Sequence, residues 1–253
     1  MARTPQQRRA ARHQQPQPVA DAPAPTVRRG PSGGTKEPIT VDAIVAAAFE
    51  LVARDGYDAL TMRKLATALE TGPASLYAHV SGREELLSLL IERLAGEMRL
   101  PEPDAERWQE QIKDLVREMH AVLLAHRDLA RVSMGNIPLG EGALRVSERM
   151  IEILALGGLP KQVIAYAVDL LPLYAVATAY EQSLFNERTS TEEGARYFEE
   201  VDAYFAALPA DRFPHMAALA PELAEGDAGE RFEFGLDVLV AGLAAYGRRA
   251  STA

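Results

Sequence analysis

The stretch PASLYAHV, residues Pro73–Val80, decides how the first third of this chain is read. Pro73 has φ preset for a first helical position, and Leu76 and Val80, four apart, can turn inward together. Ala74, Ser75, Tyr77, Ala78 and His79 then face solvent or a groove, in a helix of about two turns. Upstream, Thr61 is an N-cap candidate ahead of Met62, Leu65, Ala66 and Leu69, and Glu70-Thr71-Gly72 interrupts the period. An earlier helix is predicted from a Thr40 cap, with Ile44, Ala48, Leu51 and Val52 on one face and Gly56 closing it. Downstream, Ser81 and Glu84 have the spacing of a capping box, opening a longer helix through Leu87, Leu90, Ile91 and Leu94 toward Arg99 and Pro101. Two short helices joined by a tight turn containing Gly make a helix-turn-helix, whose second helix enters the major groove of DNA.

The 253 residues carry a net charge of −9, distributed unevenly. Residues 1–38 hold seven Lys/Arg and two acids, a balance of +5 that leaves −14 for the remainder. With runs such as QQPQP and PSGG, this segment buries too little apolar surface to offset ordering entropy and is expected to be disordered. It reads either as a solvated tail or as a basic arm for phosphate or a minor groove. The absence of cysteine removes disulfides, thiolate nucleophiles and cysteine-bound zinc, and fits a cytoplasmic location. The longest apolar run, 170–180, is interrupted by Pro172 and falls short of the roughly 20 residues of a membrane span, so no membrane partner is expected.

From about residue 105 the periodicity stays helical. Trp108, Ile112, Leu115, Val116, Met119, Val122 and Leu123 form one stripe, and Leu144, Met150, Ile151 and Leu154 another that ends at Gly157-Gly158. Residues 160–185 and 228–248 read as two strongly apolar helices, packed either against their copies in a four-helix dimer interface or within one subunit. Residues 186–227 read as one helix in a loose segment. The fold class is all-α, with a basic tail (1–38), a three-helix helix-turn-helix domain (39–98) and a larger helical domain (99–253).

The run AAAFELVARDGYDALTMRKLATAL at 46–69, followed by SLYAHVSGREELL at 75–87, resembles the DNA-binding domain of the tetracycline-repressor (TetR) family. The resemblance implies a homodimer with a C-terminal domain for effector binding and dimerisation. It places Thr61, Ser75, Tyr77 and His79 at positions that touch the DNA backbone. Arg83 falls at a phosphate contact and Arg63 at a base-edge or phosphate contact, while Lys64 and Ala74 complete the candidate surface. Residues 39–98 nevertheless carry five basic groups and nine acids, so clustering of Arg63, Lys64 and Arg83 has to compensate. The segment AHRDLARVSMG at 125–135 resembles the effector domains of tetracycline repressors. Ser133 stands where their pattern places a magnesium-holding histidine, so magnesium-tetracycline is not the expected effector.

Interior polar groups on apolar helices are the candidates for lining an effector pocket: His120, Asn136, Tyr166, Asp169, Tyr174, Thr178 and Glu181, with Met134 as adaptable filler. Each has a plainer reading: His120 as a satisfied core histidine, Asp169 paired across a dimer, Thr178 bonded to its own helix. No HExxH, phosphate loop or GxSxG occurs, and no catalytic residue, metal or cofactor is assigned. The chain is expected to be no enzyme but a ligand-responsive repressor, released from a palindromic DNA operator by a small molecule. The alternative is a helical small-molecule-binding or scaffold protein without sequence-specific DNA binding.

Overall fold

The computed structural model describes residues 38–126, 128–134, 139–224 and 227–250. The expected basic tail lies outside them, except for Pro38. Among the described residues the chain is all-helical, with eleven α-helices, one 3-10 turn and no strand.

Helix α1 (Val41–Asp55) starts where Thr40 Oγ1 accepts the Ala43 N–H at 3.1 Å, and ends at Gly56, whose φ of 80° few other residues would adopt. A 3-10 turn (Tyr57–Ala59) leads to α2 (Met62–Ala68), capped by Thr61 Oγ1 on the Lys64 N–H at 3.2 Å. The turn into α3 (Pro73–Tyr77) is made by Glu70 in the left-handed region, φ 49°, and the Thr71 N–H closes back on Ala66 O at 2.8 Å. Gly72, the sequence's apparent breaker, has an ordinary φ of −86° and begins α3.

Helix α4 (Arg83–Glu97) departs from the expected capping box. Gly82 is its N-cap, and Ser81 donates both its N–H and its hydroxyl to Glu85 rather than pairing with Glu84. With the cap one residue later than read, Glu85 is the carboxylate that reaches back. Ile44, Leu65, Leu76 and Leu90 lie at the centre of one core cluster, which continues into Leu123, Leu129, Ala130 and Ala179.

The larger half contains α5 (Trp108–Ala125), α6 (Leu129–Ser133), α7 (Glu141–Leu156), α8 (Lys161–Thr189), α9 (Glu192–Ala206), α10 (Pro214–Ala224) and α11 (Ala228–Ala250). Helix α8 packs most extensively on α5 and also touches α6, α7, α9 and α11. A second cluster joins Ile112, Val116, Met150, Leu154, Leu171, Ala175, Leu236 and Val240. One stripe and one segment differ from expectation. On α7 the buried side is Ala143, Val146, Met150, Ile153 and Leu154, which leaves Leu144 and Ile151 exposed. Beyond the end of α8, the described residues up to 224 form two helices rather than one, because Thr191 caps α9 through the Gly194 N–H and Pro214 opens α10.

Helix α8 runs unbroken through Pro172 for 29 residues, and an 18-residue stretch of it, with a mean hydropathy of 1.5, is long and apolar enough to suit a membrane span. Its inner stripe, Ile164, Ala167, Leu171, Ala175 and Ala179, is buried inside the protein. Its outer side exposes Tyr166, Leu170 and Leu173, and α11 exposes Phe234 and Val238.

Candidate nucleic-acid interface and effector site

Helix α3 is held to the core by Leu76 and Val80, 0% and 1% exposed. Ala74, Ser75, Ala78 and His79 are exposed, and Tyr77 is 54% exposed, so its ring points away from the core. Thr61, Arg63 and Lys64 are exposed on the neighbouring α2 start. Thr61 spends its hydroxyl oxygen on the cap, leaving the hydroxyl proton to donate outward. Lys64 lies 3.7 Å from Asp55, a weak solvent-screened pair.

Arg83 is more constrained than a free surface cation. Its Nη2 donates to Tyr57 O at 2.9 Å, its guanidinium lies 4.3 Å over the Tyr57 ring, and Asp58 is 3.8 Å away. The same turn is gripped from the larger half. Asp128 Oδ2 accepts the Tyr57 N–H at 2.9 Å, and Arg131 Nη2 meets Asp58 Oδ2 at 2.9 Å. Asp128 is itself left-handed, with φ 64°, a conformation that Asp tolerates better than most residues. Asp58 raises the Arg131 pKa above its usual value through this hydrogen bond. Farther along α4, Glu92 takes the Gly142 and Ala143 N–H groups at the start of α7, and side chains at Gly140 or Gly142 would collide with it. Helix α4 is thus tied to the larger half directly through Glu92, and indirectly at its start through the Tyr57 turn that Arg83 shares with Asp128 and Arg131.

The pocket candidates separate by environment. His120 is buried, with its ring stacked 4.1 Å from Phe232, and Phe232 stacks on Tyr174 at 5.6 Å. Among the described residues nothing hydrogen-bonds His120 Nε2. Burial lowers the His120 pKa below its usual 6.5, opposed by the nearby Glu233 carboxylate. Half-buried Tyr174 donates its hydroxyl to Phe232 O at 2.8 Å, and Thr178 bonds back to Tyr174 O on its own helix at 2.7 Å.

Tyr166, Asp169 and Glu181 do not occupy the interior positions expected of them. The inner stripe of α8 turns all three outward, where they are exposed on the single chain. Met134 is 42% exposed, and Asn136 lies outside the described residues. Two polar groups escaped the sequence reading. Gln111 is buried on α5 and satisfied at both ends, by the Asp104 N–H and by Glu102 O. Gln182 has a buried Oε1 without a partner among the described residues. Its position was legible, since it continues the Ile164–Ala179 stripe about five helical turns from Ile164.

Residues 44–90 match the family described as bacterial regulatory proteins, tetR family, and residues 100–246 match the tetracyclin repressor-like C-terminal domain. An HTH-type transcriptional regulator of Saccharopolyspora erythraea is 34% identical over 83% of this chain and 87% of its own length. The HTH-type transcriptional repressor DrrR1 of Streptomyces coeruleorubidus is 29% identical over 85% of this chain and 81% of its own. Among solved structures, ligand-free ActR of Streptomyces coelicolor superposes with a TM-score of 0.78 at 40% identity, covering 85% of this chain and all of ActR. ActR has also been solved with actinorhodin, and that structure matches with the same TM-score and identity. The chain belongs to the TetR family of bacterial regulatory proteins.

Proposed function

We propose that this chain is a repressor that binds a palindromic operator as a homodimer, through residues 39–98, and releases it when a small molecule occupies the domain formed by residues 99–253. The observation that carries this reading is α3 with the turn that follows it: Leu76 and Val80 are buried while Ser75, Tyr77 and His79 are exposed. Thr61, Arg63, Lys64 and Ala74 extend the same surface. Arg83 serves as a phosphate contact whose aim is set by Tyr57 and Asp58. Two copies joined through the outer faces of α8 and α11 would present two such helices to successive major grooves, about 34 Å apart.

Release needs an effector that prefers one arrangement of the larger half over the other. The contacts of Asp128, Arg131 and Glu92 give that preference a route to α3, since they hold both the Tyr57 turn and α4. ActR is solved with actinorhodin, which makes that compound the first effector to test here. The protein works in the cytoplasm, where operator DNA is.

Selection of genomic fragments by the purified protein, repeated with candidate effectors, tests the reading. Retained fragments should share a palindrome, and affinity should fall steeply as salt rises. Deleting residues 1–36 should weaken binding further, because the reader's own acids leave long-range attraction to the +5 arm. A stable dimer that retains no fragment at low salt would instead favour a small-molecule-binding protein without DNA recognition.

A further inference from the structure

Helix α7 borrows its cap from another helix. Gly140 stands at its N-cap and has no side chain to accept the free amides of the first turn. Glu92, half-buried on α4, supplies the acceptor: Oε1 takes the Gly142 N–H, and Oε2 takes the Ala143 N–H at 3.4 Å. These are the second and third helical positions, which a capping Ser or Asp would serve from within the helix. The approach is also close. A Cβ on Gly142 would lie 2.9 Å from Glu92 Oε1 and 3.3 Å from Glu92 O, and one on Gly140 would run into the same carboxylate. Helix α4 packs on α7 more than on any other helix.

The end of α4 away from the DNA-facing surface is anchored. Met98 is buried in the second core cluster, the Arg99 N–H meets Glu118 Oε1 at 3.2 Å, and Arg149 donates to Pro101 O at 2.6 Å. At the other end Arg83 grips the Tyr57 turn. The 15 residues of α4 span about 22 Å. A tilt of about 5° about the anchored end therefore moves Arg83 by about 2 Å, and in a twofold pair it changes the separation of the two readers by up to about 4 Å. One base pair rises about 3.4 Å, so a tilt this small matters to the fit.

We propose that Glu92 is a positioning residue: it fixes the tilt of α4 on α7 and so selects the spacing between the two operator half-sites. The inference rests on the dimeric, palindrome-binding reading above and adds a determinant of which palindromes are accepted. Apolar packing between two helices is non-directional and tolerates a small tilt, whereas a carboxylate that serves two successive amides with its two oxygens does not. The positive end of α7 strengthens the hold. Half-sites spaced wrongly for this tilt can be engaged only by giving up the Glu92 bonds, which adds to the cost of overwinding or underwinding the DNA.

The test uses a palindrome retained by the full chain, and copies of it whose spacer is one base pair shorter or longer. The wild type should prefer its own spacing, and Glu92→Ala should shrink that preference by about tenfold, the scale of a hydrogen bond to a charged group. Glu92→Gln keeps an acceptor oxygen and should restore part of the preference. Gly142→Ala keeps the carboxylate but wedges the helices apart, so it should shrink the preference too, and it serves as the test if Glu92→Ala fails to fold or to pair. A single base-pair change inside a half-site should cost each variant what it costs the wild type, because α3 is untouched. A merely structural Glu92 would behave otherwise, with equal weakening at every spacing or with loss of base discrimination as well. Either result overturns the proposal, as does a preference that survives both Glu92→Ala and Gly142→Ala, or a wild type that binds all three spacings alike. A wild type that retains no palindrome at low salt sinks the regulator reading itself, and this inference falls with it.

Discussion

The DNA-facing third and the larger half are built from the same helical material but settle their polar groups in opposite ways. In residues 39–98 Thr40 and Thr61 cap α1 and α2, Ser81 donates twice to Glu85 ahead of α4, and no buried side-chain atom among the described residues there lacks a partner. Among the described residues of the larger half two buried atoms, His120 Nε2 and Gln182 Oε1, lack a partner, and a long apolar face on α8 and α11 looks outward. A reader must hold one rigid shape against a duplex and gains from completeness. The larger half is a body that two further things finish: a second copy and a ligand.

The harshest way to break this comparison is to spoil the outward face. Leu173 and Val238 are 43% and 55% exposed on the single chain, so Leu173→Glu with Val238→Glu should leave the subunit folded. Sedimentation should then show monomers, and affinity for a palindromic fragment should fall by about 100-fold or more as the second reader loses its tether. A variant that stays dimeric places the pairing surface elsewhere.

A smaller effect tests the complete half. Tyr77→Ala should lower operator affinity by about 1–3 kcal/mol, while thermal stability changes by less than about 0.5 kcal/mol because the ring is more than half exposed. A large drop in melting temperature with intact affinity would return Tyr77 to the core.

The join between the halves comes next. Asp128 supplies both a carboxylate to the Tyr57 N–H and a left-handed backbone. Asp128→Asn keeps an acceptor and tolerates that backbone, so it should be nearly neutral in stability. Asp128→Ala should cost about 1–3 kcal/mol, with Asp128→Gly falling between because it relieves the strain but still loses the bond. Chemical denaturation ranks the three. Effector-induced release should weaken in the Ala and Gly variants if this contact transmits it, and equal release in all four proteins would remove Asp128 from the route.

Much of this was legible in the sequence, and what was not has physical reasons. Caps at Thr40 and Thr61 and the inward pair Leu76 and Val80 are local events, decided by residues within one or two turns. Glu70 as the left-handed residue was hidden because Gly72 stood two places away with the more permissive chemistry. Leu144 and Ile151 misled because apolar periodicity does not distinguish a face buried by its own chain from one left outside. Tyr166 and Asp169 failed as interior groups for a related reason: on a helix apolar almost all round, only tertiary packing chooses the inner stripe. The grip of Asp128 and Arg131 on a turn some 70 residues earlier left no sequence signal at all.

The smallest expected effect reads the orphaned imidazole through acid. Burial lowers the His120 pKa in the folded chain, so below the usual 6.5 the unfolded chain binds the proton that the folded one resists. Stability is therefore complete above 6.5 and declines as pH falls toward the depressed folded-state value, with a slope of at most about 1.4 kcal/mol per pH unit. Glu233 and Asp237 also sit below their usual values of 4.5 and 3.8, held there by Arg117 and Lys113. Their losses begin lower, as the carboxylates themselves take up protons. Urea midpoints of the wild type and His120→Phe, measured from pH 7.5 to 5, should diverge steadily as the wild type weakens and the variant does not. Parallel curves would mean that His120 keeps an ordinary affinity for protons, and with it a water or polar neighbour that already satisfies Nε2, leaving the larger half as complete as the reader.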